Sequence, residues 1–199
     1  MQEAVENKEM NIIFSILMGL GLSASCGFRV FVPFLIMAIA AQSGYLTLSP
    51  SFSWLADTYT IIAFTVATFL EVGAYYIPWI DNLLDSVATP TAVIAGTLAS
   101  ASVAPEMSPL IQWAVAAIGG GGLATGVQLS TAALRGTSTA TTGGTGNFLI
   151  SSAEAFGSAA VSILAIIMPI LVLLLLGALA FIFCKTYQHC KAPKQALSD

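Results

Sequence analysis

The composition of this 199-residue chain excludes a soluble domain. Hydrophobic residues make up 57% of it and charged residues only 8%, whereas a soluble domain carries about 25% charged residues. Its six Lys and Arg residues are scattered and form no basic patch, so we expect no nucleic-acid partner. The sequence therefore predicts an all-α, polytopic membrane bundle whose main partner is the lipid bilayer.

The chain begins with a short acidic tail, residues 1–10, which lacks the positive start of a signal peptide. The apolar stretch that follows, 11–42, is too long for one span of about 20 residues and too short for two. Gly27, Arg29 and Pro33 interrupt it. It is either one long tilted helix with a kink or two half-length helices in a re-entrant hairpin, since irregular backbone at this depth must be buried in protein or line a cavity.

Four later stretches predict full membrane crossings: 58–79, 87–104, 110–134 and 159–184. We expect helix breaks at Pro78 and Pro90, as at Gly27 and Pro33. The segment 80–86 reads as a connector. The polar stretch 135–147 reads as a loop, and 148–158 as a half-helix that enters the bilayer.

The lysines after Cys184 predict that the C-terminal tail, residues 185–199, is cytoplasmic, by the positive-inside rule. Between the two tails we expect one multi-pass transmembrane domain, 11–184. Small-residue helix faces, such as Gly122 and Gly126, predict a homo-oligomer, most simply a homodimer.

Four charged residues lie within or directly beside these segments: Arg29, Glu71, Arg135, which follows the 110–134 span, and Glu154, in the half-helix 148–158. A carboxylate at membrane depth costs at least ~2.5 kcal/mol, so such a group faces a protein interior, a partner or water. We expect two pairs, Arg29 with Glu71 and Arg135 with Glu154. This order of charges fits an internal, inverted repeat with halves 11–104 and 110–184, an architecture in which transporters form a midplane site.

Asp81 and Asp85 are spaced to share one face of a helix. They are candidates for contact with a cation or a lipid headgroup, because Mg²⁺ takes one or two carboxylates together with phosphate oxygens. No second acidic motif accompanies them, so a Mg²⁺-dependent enzyme acting on a lipid phosphate is the least favoured hypothesis. The single histidine, His189, lies in the tail; we therefore predict no catalytic residues, no metal site and no cofactor.

A pattern of polar and helix-breaking residues extends along most of the chain: Gly27, Arg29, Pro33, Glu71, Pro78, Asp81, Asp85, Gln128, Arg135, Asn147 and Ser152-Ala153-Glu154. This pattern resembles the small polytopic membrane proteins of domain-of-unknown-function family 4126, over roughly residues 16–173. Members often have Asp-Lys in place of Tyr75-Tyr76 and an Asp in place of Ala155. The resemblance implies a membrane protein class and a set of positions, and it implies no activity.

Two functions remain open from the sequence. One is a transporter or channel-like protein for an ion or small polar solute, which uses the four intramembrane charges as a polar pathway. The alternative is a non-catalytic membrane scaffold or assembly factor in which these charges form structural ion pairs. A wet cavity that reaches Glu71 favours the first function, and a dry, fully paired core favours the second.

Overall fold

A computed structural model of the chain describes residues 2–104 and 107–178, together with Phe181 and Lys185; for residues 2–8, Pro78, Trp79, Asp81, Asn82 and Asp85 it describes the backbone alone. The described part is helical and contains no strand, which confirms the all-α class. The helices in chain order are α1 Gln2–Cys26, α2 Phe31–Gln42, a 3-10 helix Pro50–Ala56, α3 Thr58–Ala74, α4 Pro78–Ser102, α5 Pro109–Thr142, α6 Asn147–Ile167 and α7 Pro169–Ala178.

Three helical stretches are long and apolar enough to cross a membrane: Glu9–Cys26 of α1, and helices α5 and α6. The 3-10 helix and α3 meet at 69° and together make a fourth candidate span. These helices indicate a membrane protein. The number of crossings, the internal repeat and the cytoplasmic C-terminus stay predictions. Apart from Lys185, the 185–199 tail lies outside the described residues. Residues 179, 180 and 182–184, at the end of the expected 159–184 span, also lie outside them.

The first apolar stretch is divided at residues 27–30, between α1 and α2. A Cβ atom at Gly27 would lie 2.5 Å from the Ala124 carbonyl oxygen of α5, so only glycine lets α1 end this close to another backbone. Arg29 lies in the break itself. Pro33 lies in the first turn of α2, where a missing N–H removes no intrahelical bond.

Helix α4 corrects two expectations. The segment 80–86, expected as a connector, forms its first turns, because the helix begins at Pro78. Pro90 lies inside α4 and does not end it. Membrane helices tolerate an internal proline, and the Thr91 hydroxyl adds a hydrogen bond to the same turn, to the Val87 carbonyl at 2.7 Å.

Helix α5 corrects a third expectation, since it continues through the polar stretch 135–147 as far as Thr142. Serine and threonine hydroxyls of this stretch bond to carbonyls one turn earlier, as Thr137 does to Ala133 at 2.9 Å, so the polar groups are satisfied within the helix. The helix ends where Gly143 adopts a left-handed conformation, with φ of 64°, which glycine enters without a Cβ penalty.

Helix α6 corrects a fourth expectation. The half-helix 148–158 and the first part of the expected span from residue 159 form one continuous helix. The break falls at Met168, directly before Pro169. A residue that precedes proline is disfavoured in the helical conformation, which explains this position of the break.

Helices α1, α4 and α5 meet at their smallest residues. A π-helical segment of α5, Ala116–Gly121, lies at this crossing. A Cβ atom at Gly120 would lie 2.6 Å from the Gly96 carbonyl oxygen and 2.7 Å from the Ser23 hydroxyl. Ser23 itself donates to the Gly96 carbonyl at 2.6 Å. Close approach of backbones through small residues is how helices associate in lipid.

Helix α3 lies at the edge of the bundle. None of its residues is buried, and Phe69 is 75% exposed. Its Phe64 ring stacks on Phe34 of α2, with 5.6 Å between ring centroids. The helix is thus held on one side only, and its C-terminal end carries Glu71.

Candidate functional site

The structure brings three of the four predicted charges into direct contact. Arg29 Nη2 lies 3.1 Å from Glu154 Oε2. Arg135 binds the same carboxylate through its Nε, 3.0 Å from Oε1, and also through its Nη2. The three side chains are at most 5% exposed. The expected Arg135–Glu154 contact is therefore present, and Glu154 also joins the second half of the chain to the first.

Glu71 binds backbone rather than Arg29. Its Oε1 accepts a hydrogen bond from the Val30 N–H at 2.8 Å and its Oε2 from the Phe31 N–H at 3.0 Å. These N–H groups begin α2 and have no intrahelical acceptor, and a carboxylate at this end of a helix is stabilised by the helix dipole. Glu71 and Arg29 make no direct ion pair within the described contacts, because the break in the first span offers Glu71 these N–H groups; their energetic coupling stays a prediction.

Tyr75 lies under both guanidinium groups. The central carbon of Arg29 is 3.6 Å from the centroid of its ring, and that of Arg135 is 4.3 Å away. Both distances are typical of a cation–π interaction. Sequence reasoning did not include Tyr75 among the site residues. The available signal was its spacing, since it follows Glu71 by one helical turn and shares its face.

The buried face of α6 is polar along most of its length. The residues on this face are Asn147, Ser151, Glu154, Ser158 and Ser162. Beyond Glu154, the Ser158 hydroxyl donates to the Ser25 carbonyl at 3.0 Å and the Ser162 hydroxyl bonds to the Ser25 hydroxyl at 2.8 Å. All three serines are fully buried, so α1 and α6 are in close contact at these residues.

A cavity of about 430 Å³ reaches two of the charged residues, Arg29 and Glu71. Its polar lining includes Arg29, Glu71 and Gln128, and its apolar lining includes Leu70 and Val87. Leu70 is 68% exposed and Val87 is 49% exposed, so the cavity opens at the surface between α3 and α4. Its volume is within the range of small-molecule binding sites.

Arg29 has buried donors without an acceptor in the described part of the chain. Its Nε and Nη1 atoms are buried and make no hydrogen bond within the described part of the chain. Only Nη2 is engaged, with Glu154 and with the Ser151 carbonyl at 3.1 Å. The hydroxyl of Ser151 is also buried without a partner. Because buried polar groups are nearly always hydrogen-bonded and Arg29 lines the cavity, the Arg29 donors are suited to an acceptor that enters the cavity.

Asp81 and Asp85 lie in the first turns of α4. Their side chains are outside the described part of the structure, so the cation or headgroup contact stays a prediction. Among the residues whose side chains are described, no group of three or more His, Cys, Asp and Glu could hold a metal ion.

Apolar helices of membrane-spanning length in an all-α fold indicate a helical membrane protein. In this one, charged side chains are buried beside a cavity. The chain belongs to the family described as Domain of unknown function (DUF4126), whose sequence model matches residues 16–189. This confirms the resemblance found in the sequence. Neither the curated proteins nor the solved structures contain a match to the chain.

Proposed function

We propose that this protein is a small transporter or channel-like protein, and that its solute enters the cavity beside Arg29 and Glu71. The observation that supports the proposal is the cavity itself, which reaches both side chains inside the bundle. Purely structural charges are expected in a dry and fully paired core. In the described part of the chain, Arg29 has buried donors without acceptors, which a fully paired core would not contain.

Water access to the cavity is the first test, and it needs no knowledge of the solute. In a variant without native cysteines, Gln128→Cys places a thiol in the cavity, and Leu129→Cys places one on the neighbouring exposed surface, where Leu129 is 55% exposed. Since a thiol reacts as its thiolate, a small charged thiosulfonate should modify position 128. Position 129 lies on an exposed apolar surface that we expect to face lipid, so it should stay unmodified. No reaction at position 128 in intact vesicles contradicts the proposal.

Flux in reconstituted liposomes is the second test. Protons, alkali cations and small organic anions are the probes, each compared with protein-free liposomes. Ala67 lines the cavity, and Ala63, one turn earlier on α3, is exposed. Ala67→Trp should abolish any flux by filling the cavity, and Ala63→Trp should preserve it. A flux that survives Ala67→Trp does not pass through this cavity.

A scaffold or assembly factor is the second candidate. The contacts of Glu154 with Arg29 and Arg135, together with the bonds from Glu71 to the start of α2, support it, since these bonds fix how four helices meet. This function predicts no flux for any probe and no modification at position 128. Neither candidate function is enzymatic.

A further inference from the structure

We propose that the cavity binds an amphiphilic anion, a molecule with a carboxylate or phosphate head and an apolar body, whose head binds Arg29. The inference deepens the proposed function, since it rests on the same cavity and names the class of molecule that enters it.

The hydrogen-bond inventory of the site supports an anionic head. Among the described residues, Arg29 Nε and Nη1 are buried donors without acceptors, and Arg29 lines the cavity. A guanidinium group binds carboxylate and phosphate oxygens through charge-assisted hydrogen bonds. The ligand that completes this site therefore supplies acceptors.

Glu71 does not favour a cationic ligand to the same degree. Each of its carboxylate oxygens already accepts a backbone N–H, at 2.8 Å and 3.0 Å. The two N–H groups begin α2, where the helix dipole partly compensates the negative charge. Glu71 thus has bonded acceptors, whereas Arg29 beside it has unused donors.

The rest of the lining supports an apolar body. Ala67, Leu70, Leu84 and Val87 face the cavity between Arg29 and the surface opening. A volume of about 430 Å³ accommodates a short alkyl chain together with its head. Burial of one further methylene group should strengthen binding from water about fourfold, so affinity should rise with chain length until the cavity is filled.

Binding of ¹³C-labelled butyrate, hexanoate and octanoate to the full chain, in nanodiscs of phosphatidylcholine, tests the inference by NMR titration. Empty nanodiscs correct for partition into lipid. We expect saturable binding that strengthens with chain length, and much weaker binding of octylamine. Equal or tighter binding of octylamine, or no saturable binding of octanoate, overturns the inference.

Two substitutions assign the head and the body of the ligand. Arg29→Lys retains the charge but removes the planar set of donors, so octanoate should bind about tenfold more weakly or worse. Because this change affects a buried ion cluster, Ala67→Trp provides an independent variant that leaves every charge in place. Ala67→Trp should abolish binding and Ala63→Trp should leave it unchanged; retained binding in Ala67→Trp overturns the inference.

A competition experiment distinguishes two sources of the anion, a lipid headgroup and a free amphiphile. Displacement of octanoate by phosphatidic acid included in the nanodisc supports a lipid head as the occupant, and lack of displacement supports a free amphiphile. Failure of this inference is distinct from failure of the proposed function. Octanoate binding without flux supports the inference and contradicts transport, whereas flux of another solute without octanoate binding supports transport and overturns the inference.

Discussion

Replacement of Glu154 by glutamine should be the most destabilising single change among the four intramembrane charges. Glu154 is the carboxylate that contacts both Arg29 and Arg135. At the 3.1 Å separation of Arg29 Nη2 and Glu154 Oε2, an effective dielectric constant of about 20 gives an attraction of about 5 kcal/mol. Loss of one partner of a buried pair typically lowers the free energy of unfolding by ~3–5 kcal/mol, because the other charge stays buried.

Glu71→Gln is the matched control, since it makes the same chemical change at a different contact. The amide oxygen can still accept one of the two N–H groups at the start of α2, so we expect a loss of about 1–2 kcal/mol, typical of a helix cap. Unfolding can be followed by titration with sodium dodecyl sulfate in mixed micelles, using the fluorescence of the three tryptophans.

Double-mutant cycles then test which carboxylate Arg29 depends on. Arg29→Gln combined with Glu154→Gln should destabilise less than the sum of the single changes, by about 1 kcal/mol or more. The rescue is partial, because Arg135 remains. Arg29→Gln combined with Glu71→Gln should deviate less from additivity. A larger coupling with Glu71 than with Glu154, or a greater loss from Glu71→Gln alone, refutes this account of the cluster.

Three further outcomes are expected. Gly120→Ala should destabilise the protein much more than Gly126→Ala in the same unfolding assay. A Cβ atom at Gly120 would lie 2.6 Å from the backbone of α4, whereas one at Gly126 has no neighbour within 4 Å. Equal losses of unfolding free energy would contradict the close crossing. A tag after Asp199 should be accessible only from the cytoplasmic side in intact cells, and access from outside alone would reverse the predicted topology. Particle mass in nanodiscs at several protein concentrations should correspond to a homodimer or larger oligomer, and a monomer throughout would count against oligomerisation.

The sequence identified the charged residues of the site but not all of their partners. Arg29, Glu71, Arg135 and Glu154 are visible because charges within apolar stretches are costly and rare. Which carboxylate meets which arginine depends on how the broken helices cross, and spacing along the chain does not contain that information. Glu71 binds the start of α2 because that helix end lies beside it in space.

Hydropathy also underestimated the length of the helices. The stretch from Arg135 to Thr142 looked like a loop because it is rich in polar residues, but hydroxyl groups that bond to the preceding turn let it continue as helix. The break at Met168, in contrast, could have been predicted from the sequence. Pro169 was assigned to the interior of a span, although the restriction that proline places on the residue before it favoured a break at that point.

The length of α3 has a consequence for membranes of different thickness. Its 17 residues extend about 25 Å, against a hydrocarbon layer of about 30 Å, so α3 makes a candidate span only together with the 3-10 helix, which it meets at 69°. A helix that is too short for its bilayer is accommodated by local thinning of the lipid or by a change in its position, at fractions of a kcal/mol per ångström of mismatch. Because Glu71 of α3 binds the first N–H groups of α2 and α3 forms one wall of the cavity, we expect bilayer thickness to influence the width of the opening beside Arg29.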